Sequence, residues 1–468
     1  MRRKVVEMIE NLIINIMKQM QIPGLTIAII QDGELVYSGG FGARNLEINL
    51  PMTENTLFGI GSITKSFTAL AIMQLVEQGK IELNSPLNKY IDFKLGSKRN
   101  PITIHHALSH SSGIPDLNGA VLAIAKGSGF MDPLYPMSSR KDFLLHLNGA
   151  FKEILYEPDK NFLYNNDLFT SLGLIIESIT GMEYDVYIKE NILKPLGMNK
   201  SFFSRDEFER EDNKATGYVS IKKDEPLKGI EHLCDFLLYA PGGLITTVTQ
   251  MVNYMKGLMN GGVFEGNQII KKSSLEQMWS HHIEIPENNR YSVATKGWYG
   301  YGWITEDFFD HVLIHHGGSI PGISAICAMI PEKKLGIVVG INRDLGEMRK
   351  ILISTLIALL LGINVNDANP ILNIQKLVKK LIGNYRLYNN FMACAVYIKD
   401  GILYVRAKFP IPGYPQINAP IVAQNLDELK FYIPVIFPGF KLNVQFFIDE
   451  NSGIVHLVID RYYFHKIE

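Results

Sequence analysis

The sequence predicts an α/β (α+β) fold: an antiparallel sheet flanked by N- and C-terminal helices, with a helical lobe, followed by a small all-β barrel domain. Three observations predict it. Near the N-terminus a helix-period segment runs directly into a two-strand hairpin pattern. The middle of the chain keeps helical spacing, and the period then changes to strands between Tyr299 and Ile341. Beyond residue 376 only short alternating runs and turn signals remain. One sheet built from both ends of the first domain, with the middle inserted as a lobe, satisfies the first two observations. The third is the texture of a barrel or sandwich.

The elements follow in order. Val5, Met8, Ile9, Leu12, Ile13, Ile16 and Met20 share one helix face, and the helix stops at Ile22-Pro23-Gly24. Strand-like runs at 25–30 and 34–38 flank Asp32-Gly33, a strong hairpin signal. Gly59 and Gly61 lead into a helix that ends near Gly79. Residues 80–166 read as short helices and loops, one of them capped by Thr103. An apolar helix at 168–180 ends at Gly181. Ala240-Pro241-Gly242-Gly243 reads as a turn before a helix at 248–259, and Ser273 with Glu276 as a capping box for the next. Strands at 299–305, 311–315, 323–330 and 335–341 and an apolar helix at 347–361 complete the first domain. The expected boundaries are a domain over 1–362, a linker over 363–376, and an all-β domain over 377–468 with turns at Lys399-Asp400-Gly401 and Asn451-Ser452-Gly453.

Composition excludes several classes. Forty-six basic residues against 47 acidic ones give a net charge of −1, so no nucleic-acid partner is expected. Three widely spaced cysteines, Cys234, Cys327 and Cys394, argue against a disulfide framework or a cysteine-rich metal site. The N-terminal helix is amphipathic, unlike the apolar core of a signal peptide. The run 351–363 is too short to span a bilayer comfortably. The expectation is a soluble, cytoplasmic protein with no membrane span.

Ser62 and Lys65 lie three apart at the start of a helix, on one face and one turn apart. A serine hydroxyl beside an amine is a candidate nucleophile beside its base. His105, His106 and His110 include an i, i+4 pair, but no Glu stands between them in the metalloprotease arrangement; they read as structural histidines, with no metal and no cofactor expected. Trp298 and Trp303 read as core or cleft wall.

Further segments stand in a telling order: Leu108-Ser109-His110-Ser111-Ser112-Gly113, Tyr164-Asn165-Asn166, Pro195-Leu196-Gly197-Met198 and His316-Gly317-Gly318. With Ser62-x-x-Lys65 they make residues 1–362 similar to the penicillin-recognising serine hydrolases, of which S-x-x-K is a known signature. The resemblance is to the class C β-lactamase-like branch (peptidase family S12), with its D-aminopeptidases, D,D-carboxypeptidases and esterases. It implies an acyl-enzyme on Ser62, with Lys65 and Tyr164 moving protons. Which of the two is the base stays open at this point. Asn166 would orient Lys65 and hold a substrate amide.

His316 departs from the β-lactamase pattern, where lysine is usual. A histidine is charged only partly near neutral pH, so it anchors a substrate carboxylate less firmly; it could instead polarise Tyr164. His315 should point to the opposite face of the strand. Gly317 and Gly318 would let a substrate approach the strand edge. The backbone N–H groups of Ser62 and, by resemblance, Ser319 would form the oxyanion hole. The resemblance implies a peptidase or amidase for small, D-residue-containing peptides. A carboxylesterase, a β-lactamase and a non-catalytic scaffold are the alternatives. The C-terminal domain, with its Gly383-Asn384-Tyr385 start, resembles a lipocalin-like appendage of some members. It would cover the cleft, restrict substrate length, or make a homo-oligomer contact.

Overall fold

The computed structural model describes residues 3–128, 137, 139–220, 225–287, 290, 296–346, 348–399, 401–408, 416–434, 441–449 and 452–467. Asp400 and Asn451, expected in turns, lie outside them. The chain divides into two compact units, Met1–Ala368 and Asn369–Glu468.

The first unit is built on a nine-stranded antiparallel sheet. Its order is Ile283–Glu284, Gly297–Tyr299, Ile304–Phe308, His311–Ile320, Ile323–Ile330, Leu335–Ile341, Gly24–Gln31, Glu34–Asn45, Leu50–Pro51. The N-terminal strand therefore sits inside the sheet, with Ile27 opposite Val339 on one side and Gly39 on the other. Alternation along that strand sends Leu25, Ile27 and Ile29 to one apolar cluster and Ala28 and Ile30 to another. The first cluster is closed by the helices Arg3–Met20 and Met348–Leu361, through Ile9, Ile13, Leu352 and Leu356. The second holds the helical lobe, centred on Thr64–Glu77, whose residues 64–73 are all buried. Both faces of the sheet are thus covered, which is why its inner strands read as nearly unbroken apolar runs.

Several details differ from the sequence reading. The run 299–305 is not one strand: it breaks at Gly302, whose φ is +70°, because a Cβ there would lie 2.6 Å from Lys65 O. The strand expected to stop at His315 continues to Ile320, so His316, Gly317, Gly318 and Ser319 are strand residues. Pro241 lies inside a short helix, Phe236–Gly242. The helix Lys272–Trp279 starts one residue before Ser273 and has no side-chain cap.

The second unit begins with the helix Pro370–Leu381; with Val365–Ala368 it occupies much of the 363–376 segment. Its nine-stranded sheet starts and ends on Ile417–Pro420 and Val422–Asn425, which only Ile421 separates in the chain. The sheet therefore curls round until its two ends nearly meet. Tyr385, Phe431, Phe446 and Phe464 fill the interior.

Candidate active site

Ser62 lies in a 3-10 turn, Gly61–Ile63, that feeds the central helix. Gly61 adopts φ +54°, and a Cβ on it would sit 2.6 Å from Ser319 N, so the turn lies directly against the strand His311–Ile320. Gly318 makes the reciprocal approach: a Cβ there would stand 1.8 Å from Ile60 O and 3.0 Å from Ser62 N. Two positions without side chains thus bring the Ser62 and Ser319 amides together.

Lys65 is completely buried. Its Nζ contacts Ser62 Oγ at 3.0 Å, Asn166 Oδ1 at 2.7 Å and Pro241 O at 2.7 Å. Burial lowers its pKa from 10.5 to about 7, against the opposing pull of the Asp116 charge. Two of the three partners, a carbonyl and an amide oxygen, can only accept. A neutral amine must keep its two hydrogens on them, so its lone pair faces Ser62 Oγ. Tyr164 lies beneath, its ring centroid 4.7 Å from Lys65 Nζ.

Asn166 starts the helix Asn166–Thr180, capped by Asn165 through a 2.8 Å bond to Leu168 N. Asp116 fixes the Asn166 amide. Its Oδ2 accepts from Asn166 Nδ2 at 2.7 Å and from Asn166 N at 2.9 Å, which turns Oδ1 toward Lys65. The Ser109–Gly113 segment holds the loop before this helix. Leu163 N donates to His110 O at 2.9 Å, Asp159 N to Ser111 O at 2.8 Å, and Ser111 Oγ to Asp159 Oδ1 at 2.8 Å. His110 Nδ1 accepts from Asn165 N at 3.1 Å, and its ring packs 4.3 Å from that of Tyr164. Burial, with Lys65 and His316 nearby, holds its pKa well below 6.5. His105 and His106 both reach Asp159, at 3.4 and 3.2 Å. Among the described residues, no group of three or more His, Cys, Asp or Glu is placed to hold a metal ion.

His316 and His315 face opposite sides of the sheet, His316 with the lobe and His315 beside the buried Glu306, at 3.5 Å. His316 Nδ1 lies 2.6 Å from Gly317 O, so that nitrogen carries the hydrogen, and Nε2 accepts a hydrogen bond from the Tyr299 hydroxyl at 3.0 Å. Burial, chiefly, lowers its pKa to about 3. It is therefore neutral throughout the physiological range, rather than partly charged as expected. Its ring centroid is 6.4 Å from that of Tyr164. The bond to Tyr299 was not foreseen.

These groups line a cleft of about 310 Å3 that holds Ser62, Tyr164, Tyr299, His316, Gly317 and Ser319, with Arg349 and Lys350 at its wall. The neighbouring strand pairs only as far as His315, opposite Ile304. Beyond it, that edge of Gly317-Gly318-Ser319 has no strand partner among the described residues. Trp303 is buried in the core, and Trp298 is half-buried and stacked on His281. A larger hollow of about 390 Å3 beside Asp32, Lys256 and Lys334 contains none of these groups.

The profile of the Beta-lactamase family matches residues 9–361, three quarters of the chain. The chain belongs to the β-lactamase family. Residues 365–465 match a second profile, the Pab87 octamerisation domain. The chain is similar to an octameric penicillin-binding protein homologue from Pyrococcus abyssi: 33% identity, 98% of this chain and 100% of that one, TM-score 0.87. It is 27% identical over 344 residues to the flp protein of Staphylococcus aureus, with 72% of this chain matched. It spans only 63% of that relative's length. The D-stereospecific amidohydrolase of a Streptomyces species shares the fold, at 23% identity and TM-score 0.58 over 71% of this chain and 93% of that one. The β-lactamase family is generally one of serine hydrolases, and the fold here is consistent with that chemistry. Among the described residues no helix is long and apolar enough to cross a membrane.

Tyr299, Asp116 and Arg349 were missed from sequence. The first lay in a run read as a plain strand. The other two reach the site only through contacts distant in sequence.

Proposed function

We propose that this chain is a serine hydrolase working through an acyl-enzyme on Ser62, with small peptides or amides, D-residues included, as substrates. The observation that carries the reading is the Lys65 amine: fully buried, poised near neutrality, and obliged to aim its lone pair at Ser62 Oγ. Lys65 takes the serine proton as Oγ bonds to the carbonyl carbon. The carbonyl oxygen, now negative, lies between the Ser62 and Ser319 N–H groups. Tyr164, beneath Lys65, gives its phenolic proton to the leaving nitrogen or oxygen as that group's bond to the carbonyl carbon breaks, and the proton held by Lys65 replaces it. Water then attacks the acyl carbon, its proton passing to Lys65 and on to Ser62 Oγ as that oxygen leaves. Gly317 and Gly318 offer their strand edge to an extended substrate backbone. A carboxylesterase uses the same parts. β-Lactamase turnover is disfavoured, because neutral His316 supplies no cation where that chemistry uses lysine.

A fluorophosphonate probe tests the mechanism: labelling of wild type but not of Ser62→Ala is expected, and no labelling of either returns the chain to the scaffold class. A panel of p-nitrophenyl esters, L- and D-aminoacyl anilides and nitrocefin then separates the substrate classes. Preference for anilides supports the amidase; turnover of esters alone makes it an esterase. Rapid nitrocefin turnover overturns the weight placed on His316.

The C-terminal unit is proposed to assemble copies of the chain, on the match of residues 365–465 and the octameric relative. Native mass spectrometry showing a monomer at micromolar concentration would refute this.

A further inference from the structure

A cation holds the carbonyl of Gly318. Arg349, on the second residue of the helix Met348–Leu361, donates from Nη1 to Gly318 O at 2.8 Å and from Nε to Gly346 O at 3.0 Å. That carbonyl is one end of a peptide unit whose other end is the Ser319 N–H. In a trans peptide the two point in opposite directions. A positive charge fixed on the oxygen therefore adds to the strand pairing of Gly318 with Ala325 in holding the plane of the unit. It also draws electron density from the nitrogen and strengthens the N–H as a donor. The N–H end is the one packed against the Ser62 turn, within 2.6 Å of where a Gly61 Cβ would be.

We propose that Arg349 is a positioning residue of the oxyanion site: it orients and polarises the Gly318–Ser319 peptide so that Ser319 N–H meets the acyl oxygen. The inference rests on the acyl-enzyme reading above. It needs no charge on the substrate, so it acts on every acyl compound the cleft accepts. The rival role for an arginine at a cleft wall is to anchor a substrate carboxylate. The two roles differ in which substrates suffer and in which kinetic constant changes.

The test uses Arg349→Met and Arg349→Lys in the full chain. The substrates are a neutral p-nitrophenyl ester and a p-nitroanilide carrying a free carboxylate. Phenylboronic acid is the probe that bonds Ser62 and presents a tetrahedral oxygen. Arg349→Met is expected to lower kcat roughly tenfold to a hundredfold on both substrates with KM nearly unchanged, less than or equal to the loss of a whole oxyanion donor. Phenylboronic acid should bind more weakly by a similar factor, and Arg349→Lys should recover part of both losses. Loss confined to KM of the carboxylate substrate overturns the proposal in favour of an anchor. Unchanged kcat in both variants overturns it outright. Equal loss in both variants, with weakened folding and unaltered boronate affinity, leaves Arg349 a structural residue and also overturns it. Full activity of Ser62→Ala refutes the acyl-enzyme reading itself, whatever Arg349 does.

Discussion

Burying Lys65 must make folding depend on pH in a direction opposite to that of a paired lysine. The perturbation is Lys65→Met, which keeps an unbranched chain and removes the ionisation. In the folded protein the Lys65 pKa is about 7, against 10.5 as its ordinary value. Between those values the unfolded chain holds more protons than the folded one, so stability rises with pH across that window. Below about pH 7 both states are protonated and the cost of the buried cation is constant. The side chain is wholly buried, so solvent screening does not discount the effect. Each unit of difference corresponds to about 1.4 kcal/mol. Wild type should therefore gain about 3 kcal/mol on Lys65→Met between about pH 7 and roughly pH 9.5. Groups that do not feel Lys65 cancel in the comparison, and His110 and His316, which do, are already neutral above pH 7. Urea unfolding followed by tryptophan fluorescence measures it, since Trp279, Trp298 and Trp303 all lie in the first unit. A wild-type-minus-variant difference that stays flat over this range, or falls, refutes a neutral, desolvated lysine and with it the proposed base.

Asp116→Asn removes a charge that holds the Lys65 pKa up, so the acid limb of kcat/KM should move below about pH 7 while the maximum rate drops as the Asn166 amide loses its anchor; a pH–rate profile whose acid limb stays put or moves upward counts against it. Gly318→Ala places a methyl 1.8 Å from a backbone oxygen that cannot yield, so folding should weaken by about 1–3 kcal/mol or more, with hydrolysis nearly lost; near-normal turnover would mean that the strand and the Ser62 turn are not packed as described. Tyr299→Phe leaves His316 Nε2 a buried acceptor without this donor, at a cost of about 1–3 kcal/mol; unaltered urea unfolding would show that the bond carries no weight.

The parts of the fold visible in the sequence were those with local causes. Asp32 and Gly33 take φ of +54° and +82°, as a two-residue hairpin demands, and the turn residues announce this. Thr103 caps its helix by accepting from His106 N, and Gly181 closes another in the left-handed region. The Ser62–Lys65 spacing is likewise local. What stayed hidden depends on distant neighbours. Gly302 breaks a strand-like run because Lys65 O presses on it from another element. Asp116 gains its role only when the 113–118 loop meets Asn166. His316 could be placed on the correct face, but its charge could not be read. That depends on burial and on Tyr299, which pairing across the sheet brings within reach.

The interior position of the first strand has a consequence for synthesis of the chain. Ile27 waits for Val339, made about 310 residues later. At typical elongation rates of about 5–20 residues per second, that interval is roughly 15–60 s. Throughout it this largely apolar strand has only its hairpin partner, Glu34–Asn45, beside it. Ser319, which closes the cleft, emerges within the same final stretch as Leu335–Ile341. A nascent chain therefore passes most of its time on the ribosome with a sticky, half-paired hairpin and no chemistry. Both deficits end together, when one strand threads between two others.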